Sequence, residues 1–361
     1  MTLAGTDHTL DLLADVAGSF ATPDPERVRA WRDDGGTVDR EVWQRIADNG
    51  WLSIMVPGER NGAGLGIDAV AIVARRLGYA CFPEPFAAAG VLTPLVLAAG
   101  EDDGPLTAAV AGDLLIGVGW QNDVVVEEGP GGPSLTGASR HIPVPGAEAF
   151  AIAARGLSGT GLYWAPEGAD GLSVAEERTA DGGMSLSLEL SAVEARELIP
   201  APHGGDLLDA ALDSTRIAVS AELVGIGDRV LELTLDYLRE RNQFGRPIGS
   251  FQALQHRAVD AWMELQLARA ALDSSIKVHL DPESTPGARA VAASSAKYRA
   301  SLAIPRVCTT ALQLHGAIGF TDEFDLGLYL NRALTLAPWL GNAAEHRRRY
   351  AELTDAEEAD R

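Results

Sequence analysis

The sequence predicts an α+β multidomain protein with an N-terminal α-helical domain, a middle antiparallel β domain and a C-terminal antiparallel four-helix bundle. Three observations predict it. Residues 1–112 are rich in Ala and Leu at helical spacing. From about Asp113 the apolar period becomes two, most plainly where Leu186, Leu188 and Leu190 alternate with Ser185, Ser187, Glu189 and Ser191. Farther on, Val219, Leu223, Ile226, Val230, Leu233 and Tyr237 recur in steps of four and three, one continuous helical stripe. The expected domains are 1–112, 113–200 and 205–361.

In chain order, Val38 to Gly50 predicts a helix with Val38, Trp43 and Ile46 near one face and Asp39 as its early cap. Met55 to Gly66 holds one Pro and four Gly and predicts a loop. A helix over Ile67–Tyr79 follows, then the Pro-punctuated segment Cys81–Pro85. In the β domain, Phe150 and Ile152 sit between alanines, which suits a strand between packed surfaces, and Gly129-Pro-Gly-Gly-Pro133 predicts a turn between two strands. Pro200–Gly205 marks the next boundary. Beyond the first long stripe, a second helix is expected from Ser250 as N-cap, with Leu254, Ala258, Trp262 and Leu265 on one face. Asp281–Gly287 breaks it, and a third helix runs towards Leu314. Long stripes with short connections predict an antiparallel bundle. Low complexity is confined to the acidic tail Asp355–Asp360.

The composition, 46% hydrophobic and 22% charged, is that of a folded chain. With 29 Lys and Arg against 51 Asp and Glu, the net charge of −22 disfavours nucleic acid and anionic membranes as partners. Any anionic ligand must then be held by a local basic site. Cys81 and Cys308 make no disulfide framework, though one bridge between them stays open, and the seven histidines show no metal-ligand spacing. The acidic N-terminus does not read as a signal peptide, and apolar runs fall short of a membrane span. The expectation is a cytoplasmic protein without a metal.

Four stretches carry a resemblance. They are Trp51–Pro57 with Gly62-Ala-Gly-Leu-Gly66; Arg241-Asn-Gln-Phe-Gly-Arg-Pro-Ile248 running into Phe251-Gln252; Gln313-Leu-His-Gly-Ala-Ile-Gly-Phe320 with Glu323 behind it; and Leu340-Gly-Asn-Ala-Ala-Glu-His346. Spread along nearly the whole chain, they resemble the acyl-CoA dehydrogenase family. The resemblance implies the α–β–α division and FAD as cofactor. It also implies oxidation of an acyl-CoA thioester to the 2,3-enoyl-CoA, a carboxylate taking the α-proton while the β-hydride passes to the flavin. The Gly62–Gly66 run lacks a preceding strand in a βαβ unit, so it is no dinucleotide fingerprint.

The resemblance implies roles for particular residues. The arginine similar to Arg241 reaches the FAD pyrophosphate of a neighbouring subunit, with Gln243, Phe244, Phe251 and Gln252 matching around it. A planar guanidinium suits that task, although an arginine ending a helix also complements the helix dipole. Gln313 and Gly316 match residues that approach the adenosine half of FAD; a glycine closing a helix is the plainer reading of Gly316. Ala317 stands where the family has a second glycine. Arg216 reads as a buried, paired structural residue. Arg347-Arg-Arg349 reads as a solvated helix-end run, with phosphate neutralisation as the alternative.

Two departures outweigh these matches. The family's base is a glutamate before the glycine of the closing loop or before the arginine of the first long helix. Here Leu340 precedes Gly341 and Thr215 precedes Arg216. The β domain carries Ser139-Arg-His-Ile-Pro143 in place of an aromatic-Ile-Thr motif, and its upstream segment shrinks to Gln121–Val126. The catalytic residues are therefore unassigned. The chain resembles the subunit of bacterial heterotetramers that lacks the base and completes a homologous partner's FAD site. Two alternatives stay open: an active homotetramer with a relocated base such as Glu222, seven residues after Thr215, and a flavin-free scaffold that stabilises a partner.

Overall fold

A computed structural model describes residues 3–121, 123–129 and 131–359; Asn122, Pro130 of the predicted turn and Asp360 of the acidic tail lie outside the described residues. The chain opens with α1 (Leu3–Phe20), α2 (Pro25–Asp33), α3 (Arg40–Asp48), α4 (Ile67–Tyr79), α5 (Thr93–Ala98) and α6 (Asp103–Val110). Helix α3 starts where an acid can cap it: the Asp39 carboxylate accepts from the Glu41 and Val42 amides, and Val42, Trp43 and Ile46 are buried. The Met55–Gly66 loop folds tightly on itself. A Cβ on Gly62 would lie 2.0 Å from the Val56 carbonyl oxygen, so only glycine fits there. Arg60 pins this loop by donating to the Ala98 carbonyl at 2.6 Å and pairing with Asp103. A π-helical turn over Phe86–Leu92 leads into α5.

The middle segment forms β1 (Ile116–Gly119), β2 (Val124–Gly129), β3 (Gly132–Ile142), β4 (Ala149–Gly156), β5 (Gly159–Pro166), β6 (Leu172–Arg178), β7 (Met184–Glu194) and β8 (Arg196–Ile199). Their order is β6-β7-β3-β2-β4-β5-β8, with β1 added to β4. The sheet is mostly antiparallel, as expected, but β4 has parallel neighbours in β1 and β2. Period-two patterning sets which side chains face inward and carries no strand direction. Phe150 and Ile152 are buried in β4, and Leu186, Leu188 and Leu190 in β7. Val56, Leu97, Leu106, Ala109, Ile116 and Ala149 form one core beside it.

Helix α7 (His203–Glu240) runs into a two-stranded hairpin, β9 (Asn242–Gln243) and β10 (Arg246–Pro247), followed by α8 (Gln252–Leu280), α9 (Pro286–His315), α10 (Leu326–Leu336) and α11 (Ala343–Ala359). Two expectations for α8 need correction. Ser250 is not its N-cap: the hydroxyl donates to the Pro247 carbonyl within a short 3-10 turn, and Phe251 precedes the helix. Trp262 is half exposed, because the buried face is built from small residues, Ala258, Ala261 and Ala268, with Leu265 and Leu272. Helices α4 and α7 cross with backbones touching. A Cβ on Gly225 would lie 1.9 Å from the Arg75 carbonyl oxygen, and one on Gly78 would lie 2.0 Å from that of Glu222.

The contacts divide the chain into two compact units: Met1–Ala30 with Ile67–Phe82 and Arg216–Arg361, and Trp31–Gly66 with Pro83–Thr215. Among the described residues no helix is long and apolar enough to cross a membrane, and no His, Cys, Asp and Glu cluster could hold a metal ion. Cys81 and Cys308 are free and buried; burial pushes the Cys308 thiol up to about 12.

Candidate functional site

The residues Arg241, Gln243, Phe244, Phe251 and Gln252 stand on the hairpin after α7 and the start of α8. Gln243 pairs with Arg246 and Asn242 with Pro247, and the two turn residues, Phe244 and Gly245, have φ of 55° and 79°. Two successive positive φ angles give the turn whose twist matches a hairpin; glycine takes the second at no steric cost, and Phe244 takes the first against its preference. Phe244 is 91% exposed and meets Phe251 edge-on at 6.1 Å, while the Arg246 guanidinium lies 4.2 Å over the Phe251 ring. The hairpin is closed at its root by the Ile248 amide donating to the Arg241 carbonyl at 2.8 Å.

Gln313 and Gly316 lie at the end of α9. Leu238, Ile248, Ala258 and Leu314 share one core with Tyr237, Phe251 and Leu254 packed against it, which brings the hairpin root and the end of α9 to the same end of the helical unit. Gly316 has φ of 67°, and a Cβ built on it meets nothing within 4 Å. The side chains of Arg241, Gln243, Gln252 and Gln313 are exposed and form no hydrogen bond or ion pair with another described residue. One guanidinium, three amides, exposed aromatic surface and a glycine with open space beside it fit the anionic, adenosine-bearing half of a dinucleotide.

The two places for a base hold none. Thr215 is buried, and its hydroxyl donates to the Ala211 carbonyl at 2.7 Å. Leu340 has φ of 60° and is 2% exposed, its side chain turned into the protein. Sequence reasoning missed what grips this loop. The buried Lys297 ammonium donates to the carbonyls of Ala337 at 2.7 Å and Gly341 at 3.1 Å and to the Ser301 hydroxyl at 2.8 Å. Arg216 Nε donates to the Leu340 carbonyl at 3.3 Å, and His346 Nε2 lies 3.0 Å from the same oxygen. Burial and then Arg216 pull Lys297 down to about 7, with Glu345 opposing; burial, then Lys297 and Arg216, push His346 to about 3. The run Ala290–Ala303 carries Lys297 among small residues with Tyr298 and Arg299 beside it, and nothing in the sequence marks which of these side chains turns inward.

Glu222 is also committed. Its Oε1 accepts from Arg332 Nε at 2.9 Å and from a terminal guanidinium nitrogen at 2.7 Å, and both residues are buried. Glu222 is thus a buried carboxylate held by a guanidinium, the arrangement of an interior ion pair.

In the sheet, Ser139, Arg140 and His141 occupy an irregular stretch of β3: the register to β7 shifts between Ser139 and Ile142, and His141 has φ of 59°. The Gln121 side chain accepts from the Arg140 amide at 3.0 Å, tying the end of β1 to this bulge. A Cβ on Gly119 would lie 2.9 Å from Ser139 Oγ, so the two strands are already in close contact.

Comparison with known proteins identifies the family. The acyl-CoA dehydrogenase N-terminal domain profile matches residues 7–103, and the C-terminal domain profile matches residues 203–353. The acyl-CoA dehydrogenase IpdE2 of Mycolicibacterium smegmatis is 31% identical over 329 residues, covering 90% of this chain and 91% of that protein. Among solved structures, the ChsE4–ChsE5 complex from Mycobacterium tuberculosis has a TM-score of 0.86 at 26% identity, over 96% of this chain and 97% of that one. A variant of the Tcur3481–Tcur3483 steroid ACAD has a TM-score of 0.87 at 27% identity, over 98% and 99%. Solved structures of the same fold carry FAD or FADH2. The chain belongs to the acyl-CoA dehydrogenase family of FAD-dependent oxidoreductases.

Proposed function

We propose that this chain is the subunit of a heteromeric, cytoplasmic acyl-CoA dehydrogenase that lacks the proton-abstracting carboxylate and completes the FAD site of a homologous partner. The observation that carries this reading is a contrast within one helical unit. Arg241, Gln243, Gln252 and Gln313 are exposed and uncommitted among the described residues, whereas the closing loop turns Leu340 inward and offers no acid. Two relatives named as pairs of gene products, ChsE4–ChsE5 and Tcur3481–Tcur3483, support a two-subunit arrangement. The three-part division at 1–112, 113–200 and 205–361 belongs to the same reading.

Bound FAD supplies the hydride acceptor for α,β-dehydrogenation of an acyl-CoA thioester. This chain's part is binding. Arg241 would hold the pyrophosphate with Gln243 and Gln252 flanking it, Phe244 and Phe251 would shield the dinucleotide from water, and Gln313 with Gly316 would receive the adenosine side. The partner provides the ring pocket and the base.

The test is expression of this chain alone and together with its partner, followed by flavin absorbance and turnover of acyl-CoA. Alone it is expected to be nearly colourless and inactive; with the partner, the complex is yellow and active. A yellow, active homo-oligomer of this chain would sink the reading. A colourless but assembled complex would leave only the scaffold.

A further inference from the structure

Among the described residues, His315 is a buried titratable group to which the site gives no role. Its imidazole is only 4% exposed. Nδ1 lies 2.8 Å from the Ala311 carbonyl oxygen, so Nδ1 carries the proton and donates. Nε2 is then a bare acceptor, buried and without a partner among the described residues. The ring stacks on Tyr237 at 4.3 Å and leans on Phe324 at 4.8 Å. Tyr237 also donates its hydroxyl to the His315 carbonyl at 3.3 Å. Gly319 folds so close that a Cβ there would stand 3.0 Å from the His315 Cβ. The imidazole is thus the peg on which the end of α9 and the following turn hang, and Gln313 and Gly316 are exposed on that same turn.

We propose that His315 is a positioning residue: clamped neutral between Tyr237 and Phe324, it fixes the Gln313–Gly316 turn for the adenosine half of FAD, and a proton on Nε2 undoes the clamp. The inference rests on the functional reading above. The titratable and charged groups on the segments around it are Tyr237 on α7, Arg241 just after it, His256 and Arg257 on α8, Asp322, Glu323 and Asp325 before α10, and Arg29, which pairs with Asp325. None of them hydrogen-bonds to the imidazole. A proton arriving at Nε2 therefore meets aromatic surface and no acceptor, and burial already holds the group below its ordinary value of 6.5. The clamped form is fully populated above that value and is lost as pH falls below it.

The experiment uses the complex of this chain with its native partner. It is equilibrated from about pH 8.5 to about pH 5, desalted, and its flavin absorbance per protein read. Retention is expected to be flat above pH 6.5 and then to weaken by roughly tenfold per pH unit below the titration, the dependence that one proton gives. His315→Phe keeps the stack and removes the titration, so it retains flavin at high pH and loses the acid fall. Tyr237→Leu uncovers the imidazole and moves the fall to higher pH. An unchanged acid fall in His315→Phe, or in Tyr237→Leu where the first variant does not fold, overturns the inference. A native complex devoid of FAD at every pH overturns the functional reading instead, and the inference with it. Flavin bound without pH dependence sinks the inference alone.

Discussion

Replacing Glu222 by Gln separates a structural ion pair from a relocated base. The substitution keeps the shape and leaves an amide oxygen for Arg332, so what it removes is the charge. Two unit charges about 4 Å apart attract by about 4 kcal/mol at an effective dielectric near 20. Breaking one partner of a buried pair costs about 3–5 kcal/mol, and the burial of Glu222 and Arg332 puts this pair in that class. For a cooperative unit of about 150–250 residues, each kcal/mol moves Tm by about 2–4 °C, which gives a fall of roughly 6–20 °C. The assay is a thermal melt by circular dichroism of Glu222→Gln, Arg332→Met and the double variant. The double variant is expected to melt well above Glu222→Gln, because it removes the stranded guanidinium. A Glu222→Gln protein that melts with the wild type, binds flavin in the complex and is dead would refute this and make Glu222 the base.

Arg241→Ala should weaken FAD retention in the assembled complex by about 1.5–3 kcal/mol, the loss of a charge-assisted hydrogen bond, read as flavin occupancy after dilution. Gly225→Ala should destabilise the helical unit severely, since its Cβ would lie 1.9 Å from the Arg75 carbonyl oxygen; failure to purify folded protein, or a Tm far below wild type, checks it. Lys297 is held near 7 against an ordinary 10.5, so the unfolded chain binds more protons across that window and stability rises with pH from about 7 to about 10. Denaturant melts at several pH values should show this rise in the wild type and not in Lys297→Met. By the same sign rule, His346, pushed to about 3, should withdraw stability as pH falls from 6.5, and His346→Gln should blunt that fall.

Where local chemistry decides, the sequence was legible. Helix α4 falls on the expected Ile67–Tyr79, and Asp39 caps α3 as its position suggests. The stripe along α7 is buried from Val219 to Val230. Ser250 misled because a serine hydroxyl serves a turn as readily as a cap, and Trp262 because alanines let helices pack without large side chains. The candidate motif residues are a list in the sequence, and their setting is not. Lys297 reaches a loop 40 residues away and Arg216 one 124 residues away, separations that no periodic pattern spans. The Glu222–Arg332 pair was hidden for the same reason: 110 residues lie between its halves.

On the two-subunit reading proposed above, the hairpin after α7 bears on how the chain is supplied in the cell. Its ladder, the Arg246–Phe251 stack and the root bond from Ile248 already fix the conformation of the unassembled chain, so Phe244 stands in water as a ready-made adhesive spot. Docking then freezes few additional rotamers, which favours tight pairing. On that reading, chain made in excess of its partner keeps the ring in water and is expected to self-associate. Matched synthesis of the two polypeptides is the simplest remedy, and overproducing this one alone should leave visible precipitate that partner co-production clears.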